Sequence, residues 1–181
     1  VDKRVPSGRV GGMKKGLLLS LLCLAVLPSG AEAVTLVTPD GRVAEPYQTW
    51  ANASKVPTTK DIIIVIAAPC PSPAFTSAQG CTFNDLSAIY IHPTATTPRQ
   101  TFLHELGHVG IARWFRYAHY RAFGHIFRWK TFDHELAAEA YSLCAVQRRL
   151  RTAVGGSYNA TPRQHKRACD VFRHSASATG L

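Results

Sequence analysis

Two imidazoles four residues apart, His104 and His108, flank Glu105 in the stretch TFLHELGHVG, Thr101 to Gly110. On an α-helix, residues four apart lie one above the other, so both rings project from one face, while Glu105 sits about 100° round from His104. Two imidazoles on one face can grip a Zn2+ ion from one side, and the neighbouring carboxylate can reach a water molecule in an open position without filling it. With eight His and five Glu in 181 residues, chance alone writes this pattern in roughly one chain in a hundred. What completes the site therefore decides its meaning.

A catalytic zinc takes three protein ligands and keeps a fourth position open. One known arrangement adds a histidine six residues after the second, with glycine at the third, but Trp114 and Ile111 occupy those places here and exclude it. Only two glutamates follow the motif, Glu135 and Glu139, four apart in HELAAEAYSLCAVQRRL. Leu136, Ala137, Ala138, Ala140 and Tyr141 surround them and leave a narrow polar stripe, which favours a site over a solvated face. His134 and Asp133 are weaker alternatives for the third ligand, and Asp133 is better explained as a helix N-cap.

HELGH followed by a helix reading Glu-x-x-Ala-Glu-Ala-aromatic resembles the gluzincin metallopeptidases. The compact members come nearest, being similar to the ImmA/IrrE-type peptidases and the catalytic domain of anthrax lethal factor. The resemblance covers about Pro98 to Ala145, roughly a quarter of the chain. It implies His104, His108 and Glu135 as zinc ligands, Glu105 as general base, and Glu139 as the carboxylate that supports a ligating histidine from behind. Such support fixes the ring's tautomer and raises its basicity. It also implies a minimal zincin-like fold. Twenty-six residues separate His108 from Glu135, so much of a larger peptidase's lower lobe has no counterpart.

The segment RWFRYAHYRAFGHIFRWK, Arg113 to Lys130, interleaves aromatic and basic side chains. Packing of the aromatics between the two motif helices is expected over a role in binding. Tyr117 and Tyr120, with His119 and His125, are candidates for the group that steadies a tetrahedral oxyanion, and the sequence does not choose among them. His165 and His174 are expected on the surface, and the basic runs Arg148 to Arg151 and Arg163 to Arg167 on solvated helix faces with favourable C-terminal charge.

From Met13 the chain reads two lysines, an apolar run from Gly16 to Leu27 and then Ala31-Glu32-Ala33, a small-x-small cleavage pattern. About twelve apolar residues fall short of the roughly twenty that span a bilayer. The expectation is a leader without function at 1–12, a signal peptide at 13–33 and one domain at 34–181, with the mature chain secreted or periplasmic. Leu22 before Cys23 argues against a lipid anchor. Loss of the first thirty-three residues removes five basic and two acidic side chains and lowers the net charge from +10 to +7. Anionic polymers become plausible but unspecific partners, and the primary expected partner is a peptide or protein substrate bound by a monomer.

Four cysteines remain, and an even number in an exported chain favours disulfides. Of three connectivities, Cys70 with Cys81 and Cys144 with Cys169 are favoured because each joins sequence neighbours. Loop closure assigns them roughly 3 and 3.5 kcal/mol before native strain.

The expected fold class is α+β: a small N-terminal mixed sheet, the active-site helix, a glutamate-bearing helix and a C-terminal helix. A hairpin is expected around Pro39-Asp40-Gly41, a buried strand over Asp61 to Pro69, and a strand over Ser87 to Pro93 with Ile89 and Ile91 on one face. That last strand is the expected sheet edge for an extended substrate. Thr97-Pro98 and Thr161-Pro162 read as helix starts. Taken together, these features lead to the expectation of a secreted zinc endopeptidase with one Zn2+ per chain. The alternative, from another class, is a non-catalytic binding protein that uses its basic aromatic segment on anionic polymers.

Overall fold

The computed structural model describes residues 34–56, 63–71, 78–82, 87–129, 131–146 and 158–177. The expected leader, the signal peptide and the basic run Arg148 to Arg151 lie outside them. The molecule is α+β, with four short strands and five helices: β1 (Thr35–Val37), α1 (Tyr47–Asn52), β2 (Ile63–Ala67), β3 (Gly80–Thr82), β4 (Ala88–Ile91), α2 (Pro98–Trp114), α3 (Tyr117–Phe127), α4 (His134–Ala145) and α5 (Pro162–Ser177). No described helix is long and apolar enough to cross a membrane.

The strands form one mixed sheet in the order β1-β2-β4-β3. β1, β2 and β4 run parallel, and β3 returns antiparallel to β4. Ile64, Ile66, Ile89 and Ile91 are buried, because alternate side chains of a strand share a face. Each such side chain withdrawn from water contributes about 1.5–3 kcal/mol.

Two sheet expectations need correction. β4 is an inner strand, because β3 pairs along its free side with Gly80 opposite Ile91 and Thr82 opposite Ile89. β3 is therefore the edge. The Cys70–Cys81 disulfide ties β3 to the segment that follows β2. The expected hairpin is also cut short. Its turn is present, with Thr38 N–H on Arg42 O at 2.7 Å and Gly41 at φ 82°, but the return strand is one isolated bridge from Val43 to Val37. Pro46 turns the chain into α1 instead. The Gln48 amide then takes the outer edge of β1, accepting from Leu36 N–H at 2.8 Å and donating to Val34 O at 2.9 Å.

α2 buries Phe102, Leu103, Leu106 and Val109 against the sheet and α4. At Gly107 the two helices meet so closely that a Cβ would stand 3.1 Å from both Cα and O of Ala138. Glycine's cost inside a helix, about 1 kcal/mol against alanine, is thus offset by the approach it permits. Asp133 caps α4 by accepting from Leu136 N–H at 3.0 Å. Thr161 and Gln164 cap α5 reciprocally, at 3.2 and 2.9 Å. Cys144 and Cys169 join α4 to α5 through a disulfide, with Cα atoms 5.4 Å apart.

The basic aromatic segment contains α3, an element its composition did not announce. Phe115, Phe123, Phe127, Trp129 and Phe132 pack on one another and on Phe172 of α5. Arg113, Arg116, Arg121 and Arg128 remain exposed. His165, expected at the surface, is buried instead, with Tyr158 Oη 3.0 Å from its Nδ1 and Cys169 Sγ 3.6 Å from its Nε2. His174 is exposed.

Candidate metal centre

One face of α2 carries His104 and His108, and α4 crosses it at Gly107, which brings Glu135 over both rings. His104 Nε2 lies 3.2 Å from Glu135 Oε2 and 3.2 Å from His108 Nε2, while His108 Nε2 lies 3.4 Å from Glu135 Oε1. For ligand bonds of about 2.0–2.1 Å, the edges of a tetrahedron are about 3.3–3.4 Å. Each pairwise distance is close to such an edge, the two imidazoles facing different oxygens of Glu135; one donor atom from each residue lies within 4.8 Å of the others, and the group could hold a metal ion.

The proton bookkeeping agrees. His104 Nδ1 lies 3.3 Å from Glu139 Oε2, and a carboxylate only accepts, so the ring donates there. In the neutral ring Nε2 is then a lone pair, facing the carboxylate of Glu135. Two acceptors at 3.2 Å call for a cation between them, either a proton or a metal. Gln100, one turn before His104, donates from Nε2 to Glu139 Oε1 at 3.0 Å and holds that carboxylate in place.

Charge and burial set the titration of the group. Burial works to lower the His104 pKa, but the bond to Glu139 and the charges of Glu105, Glu135 and Glu139 outweigh it and leave it raised. His108 is lowered, first by burial and then by the charge of His104, with His134 adding to the effect. Glu105 is only 6% exposed. Burial raises its pKa to about 7, against the His104 charge and the nearby Thr82 hydroxyl, which lower it; Glu135 raises it further. A carboxyl poised near neutrality suits proton transfer in both directions.

These groups open onto a cavity of about 850 Å3 lined on one side by β3 and on the other by the start of α4. Gly80 matters here: a Cβ at that position would stand 2.7 Å from Thr101 Cγ2 and 3.1 Å from Glu105 Cγ. Only glycine lets the edge strand lie this close to the helix.

The structure thus brings His104, Glu105, His108, Glu135 and Glu139 together. It does not bring the proposed oxyanion donors to them. Tyr117 is 76% exposed on α3 with Arg121 over its ring, and Tyr120 packs its ring on Phe115 and Phe132. His119 accepts from Arg116 N–H at 2.9 Å to cap α3, and His125 is exposed. None of the four lines the cavity, whereas His134 does. Gln100 was missed by sequence reasoning. Its spacing of four before His104 was the available signal, but only the partner on α4 gives that spacing meaning.

Compared with protein-family models, with curated proteins and with solved structures, the chain matches none.

Proposed function

We propose that this chain is an exported zinc-dependent peptidase of the gluzincin kind, built on a minimal zincin-like fold. The observation that carries the reading is the convergence of His104, His108 and Glu135, whose pairwise donor distances of 3.2 to 3.4 Å engage both oxygens of Glu135, with a buried carboxyl of pKa about 7 at Glu105 beside it. His104, His108 and Glu135 would hold a Zn2+ ion, which would supply a Lewis acid able to polarise a carbonyl and lower the pKa of water toward about 7.

The chain's own residues do the rest. Glu105 takes a proton from the attacking water and returns it to the leaving amine, so one carboxyl serves as base and then as acid. Glu139, steadied by Gln100, keeps the His104 ring turned so that Nε2 faces inward. β3, as the edge strand on the cavity wall, offers its backbone to an extended peptide, which would bind as one more strand. A sheet with an antiparallel edge strand beside the HELGH helix supports this zincin-like reading. Two disulfides fit an oxidising compartment and hence export.

Metal analysis of the purified protein together with casein hydrolysis, with and without a chelator, tests the proposal. One zinc per chain and chelator-sensitive cleavage are expected. A metal-free protein, or a zinc protein without cleavage, overturns it. The alternative of a binding protein reading anionic polymers through its aromatic segment loses ground, because those aromatics are spent in the core.

A further inference from the structure

The group that steadies negative charge on the substrate carbonyl has to be found in the cavity itself, since none of the residues expected for that task lines it. Hydrolysis of an amide by water pushes the carbonyl π pair onto oxygen as the new C–O bond forms, and the water's proton passes to Glu105. A donor placed where that oxygen comes to lie contributes most when it is held there in advance.

The two glutamine donors on the cavity wall are committed. The Gln100 amide bonds Glu139, and Gln79 bonds Thr96 through both its amide groups. The Thr82 hydroxyl is buried without a hydrogen-bond partner among the described residues, but it lies against the carboxyl of Glu105, the general base, and the Thr101 methyl is wedged beneath Gly80. Thr82 and Thr101 stand on the β3 side, beside the general base. A donor for the carbonyl oxygen is needed on the other side of the cavity, where α4 begins.

His134 is there. It opens α4 directly before Glu135, lines the cavity and makes no hydrogen bond among the described residues. Its ring is held edge-on against Phe132, with centroids 4.9 Å apart, and within 6.3 Å of the Tyr120 ring. Tyr120 in turn packs edge-on against Phe132 at 4.6 Å. The aromatic segment after α2 thus braces a histidine rather than supplying the donor. The two aromatic rings restrict the exposed imidazole on one side and leave its N–H available to the cavity.

We propose that His134 is a catalytic residue of the peptidase, donating a hydrogen bond to the carbonyl oxygen as it becomes negative, with Tyr120 and Phe132 fixing its ring. The inference rests on the peptidase reading above.

The test compares the purified wild-type protein with His134→Phe and His134→Gln for zinc content, thermal stability, kcat and KM on a cleaved peptide, and inhibition by a phosphinic peptide, a tetrahedral mimic of the charged intermediate. Zinc content and stability should stay at the wild-type level and KM should move little. The kcat of His134→Phe should fall roughly 100-fold, the scale of losing one oxyanion donor. Phosphinate affinity should fall in proportion, and His134→Gln, which keeps an N–H, should recover part of both. A wild-type kcat in His134→Phe overturns the proposal and leaves the peptidase reading intact, as does a loss confined to KM. Loss of zinc in either variant also overturns it, by making His134 a ligand or its support. A wild-type protein that cleaves nothing overturns both.

Discussion

His104 Nδ1 and Glu139 Oε2 stand 3.3 Å apart across thirty-five residues of sequence, on two helices whose close approach passes over Gly107. That contact fixes which nitrogen of His104 carries the proton and therefore which faces Glu135. Its removal should weaken metal binding without abolishing it. Glu139→Ala is expected to lose roughly 10- to 100-fold in zinc affinity or activity, restored in part by added zinc. Glu135→Ala should lose the metal itself. Competition titrations with a zinc-sensitive dye rank the two, and the reverse order would show that the ligand lies one helical turn further on.

Protons and metal compete for the same lone pairs. Because the folded pKa of His104 is raised, apparent zinc affinity should fall as pH drops through and below that value, with protons released on binding. Zinc titrations by calorimetry in buffers of different ionisation enthalpy read the proton count directly, and a count that does not grow as the pH is lowered would contradict the raised pKa.

Glu105→Gln should separate binding from turnover. It removes the proton acceptor while preserving size, so zinc should stay and the rate should fall by at least about 100-fold. In the metal-free protein the same change should alter stability with a definite sign. The folded pKa is about 7 against 4.5 for an ordinary glutamate, so the folded state holds a proton that the unfolded chain has released between those values, and stability falls as pH rises through that window. The burden is of the order of 3 kcal/mol above pH 7. Chelated Glu105→Gln should therefore unfold at higher denaturant than chelated wild type at pH 8, and the two should coincide at pH 4.

Gly107→Val should force α2 and α4 apart, since a Cβ already meets backbone atoms of Ala138 at 3.1 Å. Overpacking of this kind costs about 1–3 kcal/mol, outweighing any gain from replacing glycine in a helix. Zinc affinity should drop with stability, because Glu135 and Glu139 ride on the displaced helix. Thermal melts with and without zinc measure both. Unchanged affinity would mean that the ligands do not depend on this crossing.

Replacing Cys144 and Cys169 together by alanine should destabilise the protein by about 3.5 kcal/mol on the chain-entropy model, yet leave the zinc stoichiometry of the folded protein at one. The bridge joins α4 to α5 near the end of α4 away from Glu135. Denaturant unfolding gives the first quantity and metal analysis the second.

The placement of His104 and His108 on one face, of Glu105 beside them, and of Glu135 and Glu139 one turn apart was legible in the sequence. A helix's period is local, and spacing alone settles which side chains share a face. Cysteine neighbours and the β-branched run of β2 were legible for a similar reason: short loops and apolar runs leave few alternatives. Tertiary structure decided what those faces meet. β3 as the edge strand, Gln100 locked on Glu139, the burial that lifts Glu105 toward neutrality, and His134 facing the cavity while Tyr117 and Tyr120 turn away all depend on contacts between residues distant in the chain. Such contacts follow from how α4 crosses α2 and where the sheet ends, and no periodicity within either segment encodes them.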